Sequence, residues 1–236
     1  MEVEKMLIID GKKVDPVEKV LTTESFTNLE VHLTSPNLRI FAGEKFEAKY
    51  VGPEEYEPQV KIANDTLVLE QPKSKSHFMI ISFNASDSTA LEVEVPKGTK
   101  LGDIYLKLTS GDVQITNIAA EDLTLRASSG DVEISGCHLV NARVKASSGD
   151  SEIYDSTFEN LASELASGDN ELRRCEVTNE ALLSTASGDN TVLKTPFGKI
   201  RYSTASGDSH IFSRPEDENF SNRLVMETAS GDNNYR

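Results

Sequence analysis

Hydrophobic and polar residues alternate in short runs along most of this chain, and small polar residues interrupt the runs at regular intervals. In one unit Leu123 and Leu125 are separated by a polar residue, and after a short break Val132 and Ile134 are separated in the same way. Alternation with a period of two is typical of β-strands with one buried face. The pattern therefore predicts an all-β fold of strand, turn and strand units.

The break between the two runs is the tripeptide Ser-Gly-Asp, which occurs seven times with offsets of 19, 19, 19, 20, 19 and 24 residues. A fixed period of this size is typical of stacked coils. Glycine adopts positive φ angles without a Cβ penalty, and serine and aspartate bond local backbone groups, so the tripeptide predicts a sharp corner. The corner-forming glycines are Gly111, Gly130, Gly149, Gly168, Gly188, Gly207 and Gly231.

Superposing the repeats predicts columns that run along a β-solenoid with about 19 residues per coil, because one coil cannot bury its own apolar face. Three apolar columns, beginning at Ile104, Leu106 and Ile115, are expected to form the core. The column directly after the aspartate changes from valine to polar residues. It contains Val113, Val132, Ser151, Asn170, Asn190, Ser209 and Asn233. We prefer an inward ladder of hydrogen-bonded amides and hydroxyls over a position turned outward at the corner.

Three regions are expected along the chain: an N-terminal segment at 1–27, an irregular β region at 28–100 and regular coils at 101–236. Ser35 to Ile40 has the pattern of a degenerate first coil, and Asn64-Asp65 predicts a hairpin. The irregular region is expected to cap one end of the stack. The sequence stops just after its last corner, so we expect an uncapped C-terminal coil that could join two copies into a homodimer.

The formal net charge of −15 over 236 residues argues against binding nucleic acid or an anionic membrane surface, and favours a cationic partner. No apolar run reaches the length of a membrane span, and the first residues do not have the pattern of a signal peptide. We therefore expect a cytoplasmic protein as the sequence is written, or a cell-surface protein if it is a portion of a longer chain.

The two cysteines fall in one column, two periods apart. Cys137 and Cys175 have Ser156 between them, which places their Cα atoms about 9.6 Å apart at about 4.8 Å per coil. That distance is too long for a disulfide bond, so free thiols are expected. The histidines match no zinc-ligand spacing. They are His32, His77, His138 and His210.

The run Leu91–Gly98, followed by Leu101 and then by Leu106–Ile115 with its Ser-Gly-Asp, resembles a bacterial family of adhesin-like β-helix domains of unknown function. The resemblance covers residues 26–236. It implies a right-handed β-helix with a surface or regulatory role, linked to the bacterial cell envelope, and it brings no catalytic residues.

The corner aspartates form a column of their own, and stacked carboxylates would repel one another unless something offsets the charge. One interpretation is a line of calcium sites that bridge adjacent coils. The preferred alternative is that each carboxylate accepts backbone N–H groups of its own turn and faces solvent. The candidate metal ligands are Asp112, Asp131, Asp150, Asp169, Asp189, Asp208 and Asp232.

Two acidic clusters, Glu54-Glu55 and Glu216-Asp217-Glu218, could act as glycosidase or lyase carboxylates, but solvated loops are the preferred interpretation. The loop at 214–222 is the best candidate for contact with a partner.

We expect no catalytic residue and no cofactor. The predicted function is a non-catalytic, adhesin-like or protein-interaction scaffold for a protein or cell-envelope component. The alternatives are a carbohydrate-active enzyme on a β-helix and a calcium-stabilised structural module.

Overall fold

The computed structural model describes residues 7–9, 12–14, 16–72, 81–82, 89–211 and 220–236. Two large sheets contain most of the strands, one of 11 strands and one of 10, and a separate antiparallel sheet has three. The strands of the first half are β1 (Leu7–Ile9), β2 (Lys12–Val14), β3 (Val17–Thr22), β4 (Asn28–Leu33), β5 (Asn37–Gly43), β6 (Glu47–Gly52), β7 (Gln59–Ala63), β8 (Thr66–Glu70), β9 (Ile81–Ser82) and β10 (Ala90–Pro96).

The second half repeats one unit, a long strand, a Ser-Gly-Asp corner and a short strand. The long strands are β11 (Lys100–Leu108), β13 (Ala119–Ala127), β15 (His138–Ala146), β17 (Thr157–Ser167), β19 (Glu176–Ser187), β21 (Lys199–Ser206) and β23 (Arg223–Ser230). The short strands are β12 (Val113–Thr116), β14 (Val132–Ser135), β16 (Ser151–Tyr154), β18 (Asn170–Arg173), β20 (Asn190–Leu193), β22 (Ser209–Ile211) and β24 (Asn233–Tyr235). Long strands pair in parallel in the 10-stranded sheet, and short strands do so in the 11-stranded sheet.

The register of these parallel pairs brings equivalent residues of successive repeats side by side. Leu123 pairs with Ala142, and Ile134 pairs with Ile153. Side chains at most of the predicted core positions are almost completely buried between the two sheets, as Ile104, Leu106 and Ile115 illustrate, whereas Tyr202 in the same columns is exposed. The predicted apolar columns, and with them a solenoid-like all-β fold, are confirmed.

The N-terminal half closes one end of this stack. β5 pairs in parallel with β12, with Leu38 beside Val113, so the predicted degenerate coil is confirmed. β10 and β8 then join the two sheets in parallel, beside β5 and β4. Antiparallel strands extend the sheets further, β6 and β3 in one and β7 in the other. The predicted hairpin joins β7 to β8 through Asn64 and Asp65, whose φ angles are 50° and 57°.

The order of the last coils differs from the expected one. β23 lies between β19 and β21, and β24 lies between β20 and β22, so the last coil in sequence is inserted beneath the coil that precedes it. Asn222 holds this arrangement, because its Nδ2 donates to the carbonyls of Val177 and Pro196 while its Oδ1 accepts the Gly198 N–H. The prediction of an uncapped C-terminal coil is therefore wrong: the terminal position belongs to β21 and β22.

Candidate functional site along the Ser-Gly-Asp flank

The stacked corners form one continuous flank of the molecule. At each corner glycine has a φ angle between 100° and 139°, a range that favours glycine strongly. The corners also approach closely: a Cβ added to Gly149 would overlap the carbonyl of Gly130, and the same overlap recurs up the stack. Glycine is therefore required for the backbone angle, as the repeat predicts, and also for the close approach of adjacent coils, which the repeat did not predict.

Each corner aspartate is held by the next coil rather than by its own turn. The Asp131 N–H donates to Asp112 Oδ1 at 3.0 Å, and the Asp150 N–H donates to Asp131 Oδ1 at 2.9 Å. The same bond recurs up the column, starting with Asn37 as acceptor for the Asp112 N–H. The preferred interpretation was wrong about the donor, because the amide that donates to the carboxylate comes from the adjacent coil and not from the same turn.

The last bonds of this column follow the inserted coil. The Asp232 N–H donates to Asp189, and the Asp208 N–H donates to Asp232, each at 2.7 Å. We call the seven aspartates in this stacking order the Asp column. In the part of the chain that the structure describes, no group of three or more histidine, cysteine or acidic side chains has the arrangement of a metal site.

Directly inside the Asp column lies the predicted polar ladder, and it points inward. Asn170 Nδ2 donates to Asn190 Oδ1 at 2.9 Å, and Asn190 Nδ2 donates to Asn233 Oδ1 at 3.0 Å. All three side chains are buried. Each Nδ2 also reaches a backbone carbonyl of the facing long strand, such as that of Ser184. The inward ladder is confirmed, and its hydrogen bonds tie the two sheets together.

An acidic groove of about 480 Å³ lies beside the Asp column on the outer face of the 11-stranded sheet. Its walls include Asp112, Asp131 and Asp150, and Glu133 and Glu152 contribute a second line of carboxylates from neighbouring strands. The groove is therefore a strongly negative surface suited to cationic groups.

Two residues, one toward each end of this surface, donate hydrogen bonds to its carboxylates. Arg39 donates to Glu92 and to Gln114 at the N-terminal end. Further along, the Tyr154 hydroxyl donates to Glu133, and this contact with a carboxylate raises the tyrosine pKa.

A second corner, which the sequence did not reveal, reverses the chain after each short strand. Five residues in one column have φ angles between 50° and 63°. They are Asn117, Gly136, Asp155, Arg174 and Lys194. Asparagine, glycine and aspartate are frequent in this conformation, but arginine and lysine are not, which is why no period was visible. Arg174 binds Asp155 through two bonds of 2.6 Å, and this hydrogen bonding lowers the aspartate pKa.

The predicted cysteine column follows the second corner. Cys137 and Cys175 are both free and buried, and Ser156 lies between them, where its Oγ accepts the Cys137 N–H at 3.0 Å. Burial raises the pKa of each thiol to about 11. These thiols therefore pack as apolar groups in the interior.

The other candidate residues are dispersed. Glu54 and Glu55 lie in an exposed 3-10 turn, Glu54–Tyr56. His32 contacts Glu30, and His138 contacts Thr157. The cluster at 216–218, most of the predicted loop at 214–222 and His77 lie outside the described residues. Among the described residues, no helix is both long and apolar enough to cross a membrane.

The comparisons with known proteins agree with this architecture. The model of the family described as Toastrack DUF4097 matches residues 26–236. A "putative cell adhesion protein" from Clostridium sporogenes has a TM-score of 0.50 and 17% identity, with 93% of this chain and 98% of that chain covered. A "putative adhesin" from Bacteroides fragilis has a TM-score of 0.50 and 14% identity, with 94% of this chain and 97% of that chain covered. A "putative adhesin" from Parabacteroides distasonis has a TM-score of 0.51 and 7% identity, with the same coverage of 94% of this chain and 97% of that chain. At these identities the likeness concerns the fold alone. No curated protein matches the chain.

Proposed function

This chain belongs to the Toastrack DUF4097 family, and from that membership we propose that it acts as a non-catalytic, adhesin-like scaffold that presents its acidic flank to a cationic partner. The names of the structurally similar bacterial proteins support a partner at the cell envelope or another protein. We also propose a right-handed winding, which the family resemblance implies, and a coil of about 19 residues, which the repeat implies.

The observation that carries the proposal is a row of outward-facing glutamates beside the Asp column. The Asp column accepts hydrogen bonds between coils. Glu133, Glu152 and Glu171 lie side by side on adjacent short strands, and they face outward because their neighbours in sequence are buried. Glu133 also accepts hydrogen bonds from two neighbouring side chains, and Glu171 pairs with Arg173 on the same surface. A row of carboxylates at the strand spacing favours a partner with several cationic groups.

Association with immobilised polylysine, a defined polycation, tests this surface. Replacing Glu133, Glu152 and Glu171 together by glutamine should weaken binding at least about tenfold, and salt should weaken wild-type binding in the same way. A matched variant that replaces Glu121, Glu159 and Glu176 by glutamine removes the same charge from the other sheet, where these residues are exposed. It should change binding less than about threefold.

Equal losses in the two triple variants would contradict the proposal, because only net charge would then matter. The enzyme alternative is tested in parallel by incubating the protein with soluble polysaccharides and measuring new reducing ends. If the wild-type protein produces new reducing ends and the triple variant of Glu133, Glu152 and Glu171 does not, the protein is a carbohydrate-active enzyme and the scaffold proposal is wrong.

A further inference from the structure

One coil of the stack has open edges in both sheets. Among the described residues, β21 pairs only with β23 and β22 pairs only with β24, so both strands are terminal in their sheets. We call β21 and β22 together the end coil. The Lys199 N–H donates toward β23, to Asn222, and by alternation the N–H groups of Ile200 and Tyr202 point toward the open edge. Such an edge is a template for pairing with another strand.

The interior of the stack is also open at the end coil. Tyr202 is in register with Met226, and Met226 is completely buried, yet Tyr202 is 47% exposed. Phe220, close to the same coil, is 39% exposed. In the described part of the chain the other large exposed apolar side chains are Val20 and Val60, on strands at the opposite end of the stack. Unsatisfied apolar surface is thus concentrated at the ends.

Charge favours a second copy of this chain at the end coil. Two chains of net charge −15 repel each other over most of their surfaces. The two strands of the end coil carry Lys199 and Arg201 and no carboxylate, and the corner between them carries a single one, Asp208. Two end coils can therefore approach without the repulsion that two acidic flanks would meet.

We propose that two copies join through their end coils, with β21 of one copy antiparallel to β21 of the other across a twofold axis at Tyr202. Opposite residues in an antiparallel pair share one face, so Tyr202 meets Tyr202 of the second copy and Ile200 meets Thr204. In this register Arg201 lies opposite Ser203, so no like charges face each other directly. The dimer closes the open edges of β21 and β22 and covers the exposed aromatic ring of Tyr202. It leaves the acidic groove free.

Light scattering combined with size exclusion tests the dimer. The wild-type protein should have twice the chain mass of 25.9 kDa. Tyr202→Lys and Tyr202→Glu should each weaken dimerisation at least about tenfold, because each places two like charges at the axis. A Thr124→Lys control adds the same charge to β13, inside the 10-stranded sheet and away from the end coil, and should keep the dimer mass.

Mixing the two Tyr202 variants distinguishes this register from any other interface. Only an axis at Tyr202 brings the lysine of one copy against the glutamate of the other, so the mixture should regain the dimer mass that each variant alone loses. Circular dichroism first verifies that each variant is folded. A monomeric wild type, a dimer unaffected by Tyr202→Lys, or a mixture of folded variants that stays monomeric would overturn the proposal.

Discussion

The Ser-Gly-Asp corners and the second corners both reverse the chain between two strands, but their backbone angles differ. At the first the φ angles lie between 100° and 139°, and at the second between 50° and 63°. The second range is the ordinary left-handed region, which a side chain can occupy at a cost of about 1 to 2 kcal/mol. The first range favours glycine. This difference makes one corner invariant along the repeat and lets the other vary from asparagine to lysine.

The corners also differ in how they join adjacent coils. At the Ser-Gly-Asp corner a carboxylate on the surface accepts the amide of the next coil, as Asp131 does for Asp150. After the second corner a buried hydroxyl is the acceptor for the backbone N–H of the adjacent coil. Ser156 accepts the Cys137 N–H, and Thr195 accepts the Cys175 N–H. A repeat can therefore keep its coil spacing with two different acceptors, one solvated and one buried.

The largest expected effect comes from adding a methyl group at each corner. Gly149→Ala should lower the free energy of unfolding by about 3 to 5 kcal/mol, because the new Cβ meets backbone that cannot move. Gly136→Ala should cost only about 1 kcal/mol, since its Cβ meets the movable side chain of Asn117. Urea unfolding of the two variants measures both values. Equal costs would remove the distinction between the corners.

The buried ladder behind the Ser-Gly-Asp corner gives the next largest effect. Asn190→Ala should lower the free energy of unfolding by about 2 to 4 kcal/mol, because Asn170 and Asn233 both lose a buried partner. Asn179→Ala is the control, since Asn179 donates a similar bond to Asn160 on the exposed face. The control should cost less than about 0.5 kcal/mol. Similar losses at both sites would contradict an inward ladder.

High pH should destabilise the second corner through its cysteines. Their folded pKa of about 11 lies above the ordinary value of 9.0, so the stabilisation is complete below pH 9 and is lost as the pH rises toward 11. Between pH 9 and pH 10 the pair should lose about 2 kcal/mol relative to a Cys137→Ala and Cys175→Ala variant. The difference between the two stability profiles measures this loss. Parallel profiles would show that the thiols are not buried in the folded state.

The smallest effect is expected where a carboxylate is replaced but its acceptor oxygen is kept. Asp150→Asn preserves the bond to the Asp169 N–H, so it should change the free energy of unfolding by less than about 0.5 kcal/mol. Asp150→Ala removes the acceptor and should cost about 1 kcal/mol. Thermal unfolding separates the two variants. A large loss in Asp150→Asn would mean that the charge itself is needed at this corner.

The all-β fold and the core columns were predictable, because the repeat aligns Leu123, Leu125 and Ile134 with their equivalents in every coil. The inward amide ladder was predictable for the same reason. The second corner was not predictable, because Arg174 and Lys194 adopt the left-handed conformation there, and neither residue type is typical of it. The backbone N–H that donates to each corner aspartate was not predictable either, because it belongs to the adjacent coil and the sequence of one repeat does not show how coils stack.

The insertion of the last coil was likewise invisible in the repeat. Ser206-Gly207-Asp208 and Ser230-Gly231-Asp232 have the same pattern, so either coil satisfies the column above Asp189. The order is decided by contacts outside the repeat, above all by Asn222 and by Tyr235, whose hydroxyl donates to the Thr195 carbonyl. Periodicity fixes the shape of each coil but not the order of equivalent coils.

The most direct test of the account is thermal unfolding by circular dichroism in millimolar calcium and in excess chelator. If hydrogen bonds between coils, and not bound cations, offset the charge of the Asp column, calcium should leave the melting temperature unchanged within about 2 °C. The reason is that calcium stabilises only a folded state that binds it. A large rise in melting temperature with calcium, abolished by Asp150→Asn, would contradict the account and make the column an array of metal sites.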